Sequence, residues 1–65
     1  MLFVDGYKMF KGMAVITTWN NERFTLHGIW LYRPDTNCWY CAPDDHGFTR
    51  SYPAEVVSGM QDDVG

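Results

Sequence analysis

Two cysteines and two histidines are the residues of this chain whose chemistry could define a site. Cys38, Cys41 and His46 follow a Cys-x2-Cys-x4-His pattern, and His27 offers a fourth ligand. Thiolates and imidazoles in a tetrahedral set suit Zn²⁺, and a chain of 65 residues gains from such a staple. The two aromatic residues between the thiols favour a strand, however, whereas zinc-binding pairs of this spacing lie on tight turns. We therefore expect no cofactor, with zinc held by these four residues as the alternative.

The same two cysteines are expected to be reduced. Side chains of a strand alternate between its faces, so cysteines three positions apart point to opposite sides and cannot form a disulfide. The first four residues are followed by Asp5 and Gly6, and they show neither a basic leader nor the long apolar core of a signal peptide. These features predict a cytoplasmic protein.

Nucleophilic catalysis needs more than a thiol and a base that are close in sequence. Cys38 or Cys41 with His46 would supply both, but no oxyanion-hole glycines and no orienting carboxylate follow at a specific spacing. Asp44 and Asp45 lie in a Pro-Asp-Asp-His-Gly segment, where acidic residues are common in turns. The six glycines are dispersed, so no phosphate-binding loop is evident. We predict that the protein is not an enzyme.

The aromatic residues give a sharper hypothesis, because the chain has four Phe, four Tyr and three Trp. Trp30, Tyr32 and Trp39 are expected on one face of a hairpin, where an exposed platform could clamp a peptide, box a methylated ammonium or stack bases. The alternative is that they fill the core, as most large aromatic residues of so small a domain must. The opposite face is apolar too, and the face left uncovered implies a protein partner or a second copy of the chain. Its residues are Ile29, Leu31 and Tyr40.

The charge balance argues against nucleic acid as a partner. Five Lys and Arg stand against eight Asp and Glu, which gives a net charge of −3 and a pI near 5.0. Such a chain lacks the positive field that attracts phosphate backbones. No apolar run approaches the roughly 20 residues that span a bilayer. Asp44, Asp45 and Glu55 are instead predicted to rim the binding surface and to meet a basic patch on a protein partner.

Short strands must position these residues. Residues 10–19 and 24–33 are rich in β-branched and aromatic side chains and predict two strands, with a polar turn between them. Gly28, inside the second strand, predicts a bulge or a sharp bend. Residues 34–37 begin with proline and predict a four-residue turn between Arg33 and Cys38.

The hairpin around residues 34–37 has a definite predicted register. Antiparallel pairing across this turn fixes which side chains share a face, because a slip of one residue would move all of them to the other face. The predicted pairs are Tyr32 with Trp39, Trp30 with Cys41, Leu31 with Tyr40, and Ile29 with Ala42.

The remaining segments complete a single domain over residues 1–65. Residues 48–52 predict a short strand, and residues 53–57 a helical turn that leads into a last strand. Residues 2–7 predict an extra edge strand, and residues 58–65 a frayed tail outside a core of residues 10–57. Four or five short strands predict an all-β fold, either a small SH3-like barrel or a strongly bent antiparallel sheet.

The order of these elements resembles an SH3-like barrel over residues 12–57. Gly-Met-Ala-Val at residues 12–15 and Tyr-Pro-Ala-Glu-Val-Val at residues 52–57 carry the resemblance. The type II dihydrofolate reductases share this architecture and act as tetramers, but they are similar here only at Tyr52 and Pro53. Where that family has Gln and Ile, this chain has Arg50 and Ser51, so the groups that bind folate and nicotinamide are absent.

These observations predict a non-enzymatic protein-binding module. Acidic single-domain chains without a catalytic set are typical of phages and other mobile elements, so the hypothesis extends to an inhibitor of a host protein. One alternative is a homo-oligomeric SH3-like barrel with a small-molecule site, and another is a zinc-stapled module.

Overall fold

The computed structural model describes residues 2–4 and 7–64 of the chain. The fold is all-β, as predicted, with six strands and one 3-10 turn in the described residues. The strands are β1 (Leu2–Val4), β2 (Tyr7–Thr17), β3 (Arg23–Arg33), β4 (Cys38–Pro43), β5 (Arg50–Pro53) and β6 (Val57–Asp62), and the 3-10 turn is Ala54–Val56.

All six strands belong to one antiparallel sheet built around β2. Strands β1 to β5 pair in chain order, and β6 returns to pair with β2. One edge of β2 carries β3, and the other carries β1 along its first part and β6 farther on. The described residues measure 34 × 24 × 23 Å, far thicker than a flat sheet, whose face-to-face packing distance is about 10 Å. The sheet is therefore strongly bent, and no pairing in the described residues joins β5 to β6 to close it into a barrel.

Two facing glycines let neighbouring strands approach closely at one level of the sheet. Gly12 of β2 pairs with Gly28 of β3. A Cβ on Gly28 would lie 2.2 Å from the carbonyl oxygen of Ala42, and one on Gly12 would lie 2.0 Å from that of Gln61. The register of β3 runs through Gly28 without a shift. Of the two predicted roles for Gly28, the bulge is therefore wrong, and the glycine serves a close approach within the bent sheet.

A bulge lies instead in β6, where the register against β2 shifts between Met13 and Val15. Two residues of β6, Gly59 and Met60, face the single residue between those two positions. Gly59 has φ +57°, which is the left-handed conformation that such a bulge requires of its first residue.

The predicted hairpin of β3 and β4 is confirmed in register. Arg33 pairs with Cys38 across the turn, and the pairing continues to Gly28 and Pro43. The four pairs given by the sequence are all present: Tyr32 with Trp39, Trp30 with Cys41, Leu31 with Tyr40, and Ile29 with Ala42.

The strand boundaries differ from the predictions by a few residues elsewhere. β2 ends at Thr17, so Trp19 lies in the turn that follows. β5 begins at Arg50, which leaves Phe48 in the preceding loop. The helical turn before the last strand is confirmed as Ala54–Val56. Part of the predicted edge strand is β1, whereas Asp5 and Gly6 lie outside the described residues.

The prediction of a frayed tail after residue 57 is wrong. Residues 57–62 form β6, and the backbone N–H of Asp63 donates to the carbonyl of Lys11 at 2.9 Å. Met60 packs against the core, which therefore extends beyond residue 57. The segment looks like a tail in the sequence because an edge strand with a glycine bulge shows few apolar residues.

The core lies on the concave side of the sheet. Its largest fully buried side chain is that of Trp30. The buried residues are Phe10, Ala14, Ile16, Trp30, Trp39 and Cys41, with Leu26, Tyr32, Tyr52, Ala54, Val56, Val57 and Met60 partly buried against them.

The described part of the chain contains no helix that is long and apolar enough to cross a membrane.

Candidate functional site

Trp30 and Trp39 are core residues, so the predicted exposed platform is wrong for both tryptophans. Trp30 is 0% exposed, and its indole Nε1 donates to the carbonyl of Gly12 at 3.1 Å. Trp39 is 7% exposed, and its ring meets Trp30 and Phe10 edge to face at 6.4 and 5.8 Å. The bent sheet has one concave face, and filling it requires the largest side chains of the chain. The alternative that these residues fill the core is the one observed.

Tyr32 is the member of the predicted platform that stays partly exposed. Its ring centroid lies 5.1 Å from that of Trp39, and its hydroxyl donates to Asn37 Oδ1 at 2.6 Å. The ammonium of Lys8 lies 5.5 Å from the centroid of the Tyr32 ring, within cation–π range. Tyr32 therefore stands at the rim of the core, with both its ring and its hydroxyl engaged.

The convex side of β2, β3 and β4 carries a second apolar surface, which we call the outer face. The register aligns Met9, Leu31 and Tyr40 in one row across the three strands. Ile29 and Ala42 adjoin each other in the next row. Ile29 is 50% exposed and Met9 is 39% exposed. The outer face is defined as Met9, Ile29, Leu31, Tyr40 and Ala42.

Two cations border the outer face. Lys11 of β2 pairs with Ile29 of β3, and its side chain is exposed. The guanidinium of Arg33 lies 5.8 Å from the centroid of the Tyr40 ring and bonds Asp35 at 3.0 Å. Apolar side chains beside cations form a surface that suits a partner combining apolar and acidic groups.

The acidic residues predicted to form one rim are separated in the fold. Asp44 and Asp45 follow the last residue of β4. Glu55 lies in the 3-10 turn at the opposite end of β4, where the N–H of Ala54 donates to the carbonyl of Asn37. The six-residue β4 separates these two places by about 17 Å at roughly 3.4 Å per residue. The three carboxylates therefore do not form one patch.

Trp19 and Phe48 are the most exposed aromatic side chains of the described residues, at 96% and 94%. Trp19 lies at the tip of the turn between β2 and β3, and Phe48 lies in the loop between β4 and β5. Neither residue joins the core aromatics or the outer face.

The zinc ligand set is not assembled. Cys38 and Cys41 are free thiols, as predicted from their spacing. Cys41 is buried, and burial raises the pKa of its thiol to about 11, which keeps it protonated at neutral pH. No three His, Cys, Asp or Glu side chains in residues 2–4 and 7–64 are placed to hold a metal ion. His27 is engaged by carboxylates instead.

His27 forms a cluster with two aspartates that the sequence does not predict. Its Nδ1 is hydrogen-bonded to the carboxylate of Asp44, and its Nε2 lies 2.9 and 3.1 Å from the two carboxylate oxygens of Asp63. The backbone N–H of Asp44 also donates to the carbonyl of His27 at 3.1 Å. These hydrogen bonds, from Asp44 and then from Asp63, raise the pKa of His27 above its ordinary value of 6.5.

The cluster joins three parts of the sheet. His27 belongs to β3, Asp44 begins the loop between β4 and β5, and Asp63 directly follows β6. With both ring nitrogens bound to carboxylates, the imidazole has no free nitrogen with which to ligate a metal or to take a proton from a substrate. The geometry therefore assigns this cluster to holding elements together.

Comparison with known proteins identifies no relative of this chain: no protein-family model, curated protein or solved structure gives a significant match.

Proposed function

We propose that the protein is a non-enzymatic protein-binding module that docks its partner on the outer face. One observation carries this proposal: the aromatic core fills the concave side, while Ile29 and Met9 stay 50% and 39% exposed on the convex side. Their neighbours Leu31 and Tyr40 extend the same apolar surface across three strands. Contiguous exposed apolar side chains on a small soluble domain favour a protein interface.

The chemistry of the partner follows from the border of the outer face. Lys11 adjoins Ile29 and is exposed, which favours an apolar patch flanked by carboxylates on the partner. An acidic rim is not part of the proposed surface, because Asp44 is bound to His27 and Glu55 lies at the other end of β4. The hypothesis that this chain comes from a mobile element and inhibits a host protein stays a prediction.

We also propose that the sheet is a variant of the SH3-like fold. Support comes from the order of the elements. The long β2–β3 hairpin leads into the β3–β4 hairpin, and the short strand β5, the 3-10 turn and the final strand β6, which returns to β2, follow.

Ile29→Lys tests the docking proposal, with Thr25→Lys as its matched control. Both residues are exposed on β3, and they point to the same side because four positions separate them. Thr25 lies outside the outer face. We expect a protein captured from the source cells by the wild type to be retained by Thr25→Lys and lost by Ile29→Lys, while all three chains keep the same circular dichroism. Equal retention by the Ile29→Lys chain would overturn the proposal.

The outer face favours one second candidate, a homo-oligomer. The exposed side chains of Ile29 and Met9 lie on a face that a second copy of the chain would cover. Sedimentation velocity of the wild type and Ile29→Lys separates the two candidates. A multimer that Ile29→Lys converts into a monomer supports self-association, and a wild-type monomer that still binds a foreign protein supports the first candidate.

A further inference from the structure

We propose that Asp44, His27 and Asp63 form a pH-operated latch that ties the end of β6 and the start of the β4–β5 loop to β3. The inference does not depend on the docking proposal, since it concerns only contacts within the chain.

The latch joins segments that are far apart in sequence. Asp44 and Asp63 approach the ring of His27 from opposite nitrogens. Each aspartate is also fixed by its backbone, Asp44 to the carbonyl of His27 and Asp63 to the carbonyl of Lys11. The imidazole therefore lies where two chain segments leave the sheet, and its hydrogen bonds hold both segments against β3.

The bonding pattern fixes the charge of the closed state. A ring that hydrogen-bonds a carboxylate through each nitrogen must carry a proton on both, so the closed latch is an imidazolium between two anions. Loss of one proton leaves a lone pair facing a carboxylate oxygen, and two acceptors cannot bond. One of the two aspartates must then leave the ring.

The other charged residues next to the latch are Lys11, Asp45 and Asp62. On β2 the residue opposite His27 is the uncharged Met13, and the nearest basic residue along β2 is Lys11. Asp45, next to Asp44, accepts from the N–H of Gly47 at 2.9 Å. Asp62, next to Asp63, accepts from the N–H of Val64 at 2.9 Å. Asp45 and Asp62 are thus engaged by backbone N–H groups, and it is Asp44 and Asp63 that raise the pKa of His27.

The direction of the pH dependence follows from linkage. The hydrogen bonds to Asp44 and Asp63 raise the pKa of His27 in the folded chain above 6.5. A group whose pKa is raised by folding stabilises the folded state in full at every pH below its unfolded-state pKa. This stabilisation is lost as the pH rises through its folded-state pKa. The latch is therefore closed at low pH and opens as the pH rises through the folded pKa of His27, which lies above 6.5.

Nuclear magnetic resonance on the full chain tests the latch through two readouts. The first is the titration of the His27 ring. The second is hydrogen exchange of the Asp63 and Asp44 amides, normalised to intrinsic rates from about pH 6 to about pH 8.5, a range that begins near the ordinary pKa of histidine. We expect His27 to titrate above 6.5. We also expect the protection of at least one of the two amides to be lost with the same midpoint.

Two variants make the test decisive. His27→Gln should abolish the pH dependence of amide protection, whereas His46→Gln, which changes the other histidine of the chain, should keep it. If His27→Gln does not fold, Asp63→Asn serves instead, because it keeps the shape of the side chain and should shift the His27 midpoint downward. A His27 midpoint at or below 6.5, or protection of both amides that does not change with pH, would overturn the latch.

Discussion

Three tryptophans of one chain show how position decides the role of a residue. Trp30 is enclosed and bonded through its indole nitrogen, whereas Trp19 is 96% exposed at a turn. Trp39 lies between them in exposure but belongs to the core, edge to face with Trp30. The side chain that is most suited to binding a partner is thus used twice for packing.

At the residue scale we predict that Trp30→Phe destabilises the fold by about 2–4 kcal/mol. The substitution removes the hydrogen bond to the Gly12 carbonyl and leaves a cavity in the core. Denaturant unfolding measures the loss. Trp19→Phe is the matched control, and its exposed side chain should change the free energy of unfolding by less than about 0.5 kcal/mol. Equal effects of the two variants would contradict the assignment of Trp30 to the core.

At the element scale β6 completes the sheet. It covers the edge of β2 beyond β1, and Met60 and Val57 contribute to the core. Its glycine bulge adapts it to β2, because Gly59 takes a backbone conformation that other residues rarely adopt. The strand also delivers Asp63 to His27.

A chain truncated after Val57 is therefore expected to be largely unfolded. Removal of β6 exposes the edge of β2 and uncovers part of the core, against a total stability of only about 3–10 kcal/mol for a domain of this size. Circular dichroism and amide dispersion of the truncated chain measure the outcome. A control chain that ends at Val64 keeps β6 and should stay folded. A folded chain lacking residues 58–65 would show that they form a tail after all.

At the scale of the whole molecule, the sheet and core form one cooperative unit. β2 pairs with three other strands, and the buried residues come from β2, β3 and β4 together. No second group of fully buried residues exists in the described part of the chain. One convex apolar surface is left over, and it is the basis of the proposed function.

We therefore predict two-state unfolding of the wild-type chain. Tryptophan fluorescence reports on the core around Trp30 and Trp39, while far-ultraviolet circular dichroism reports on the whole sheet. Their denaturation curves should coincide, because the core cannot be lost without separating β2, β3 and β4. A circular dichroism transition that occurs at lower denaturant than the fluorescence transition would show that the sheet melts in parts.

Local sequence determined the strands that lie close together in the chain. Proline at the start of the 34–37 turn, with aromatic residues on both sides, set the register of β3 and β4 correctly. That register places Asp44 opposite His27 when it is continued one residue beyond Gly28 and Pro43, so half of the latch was within reach of the sequence. The free thiols followed from the alternation of a strand in the same way.

Only the tertiary structure decided which apolar face of the hairpin is buried, and only the tertiary structure gave residues 58–62 the conformation of a strand. Both faces of the hairpin carry apolar side chains, and the bend of the whole sheet encloses one of these faces. The bend depends on close approaches between strands, such as that of Gly12 to Gln61. Pairing of β6 with β2 joins residues more than forty positions apart. Pairing over such a distance has no local signal, because its free energy comes from a core and an edge that exist only after the rest has folded.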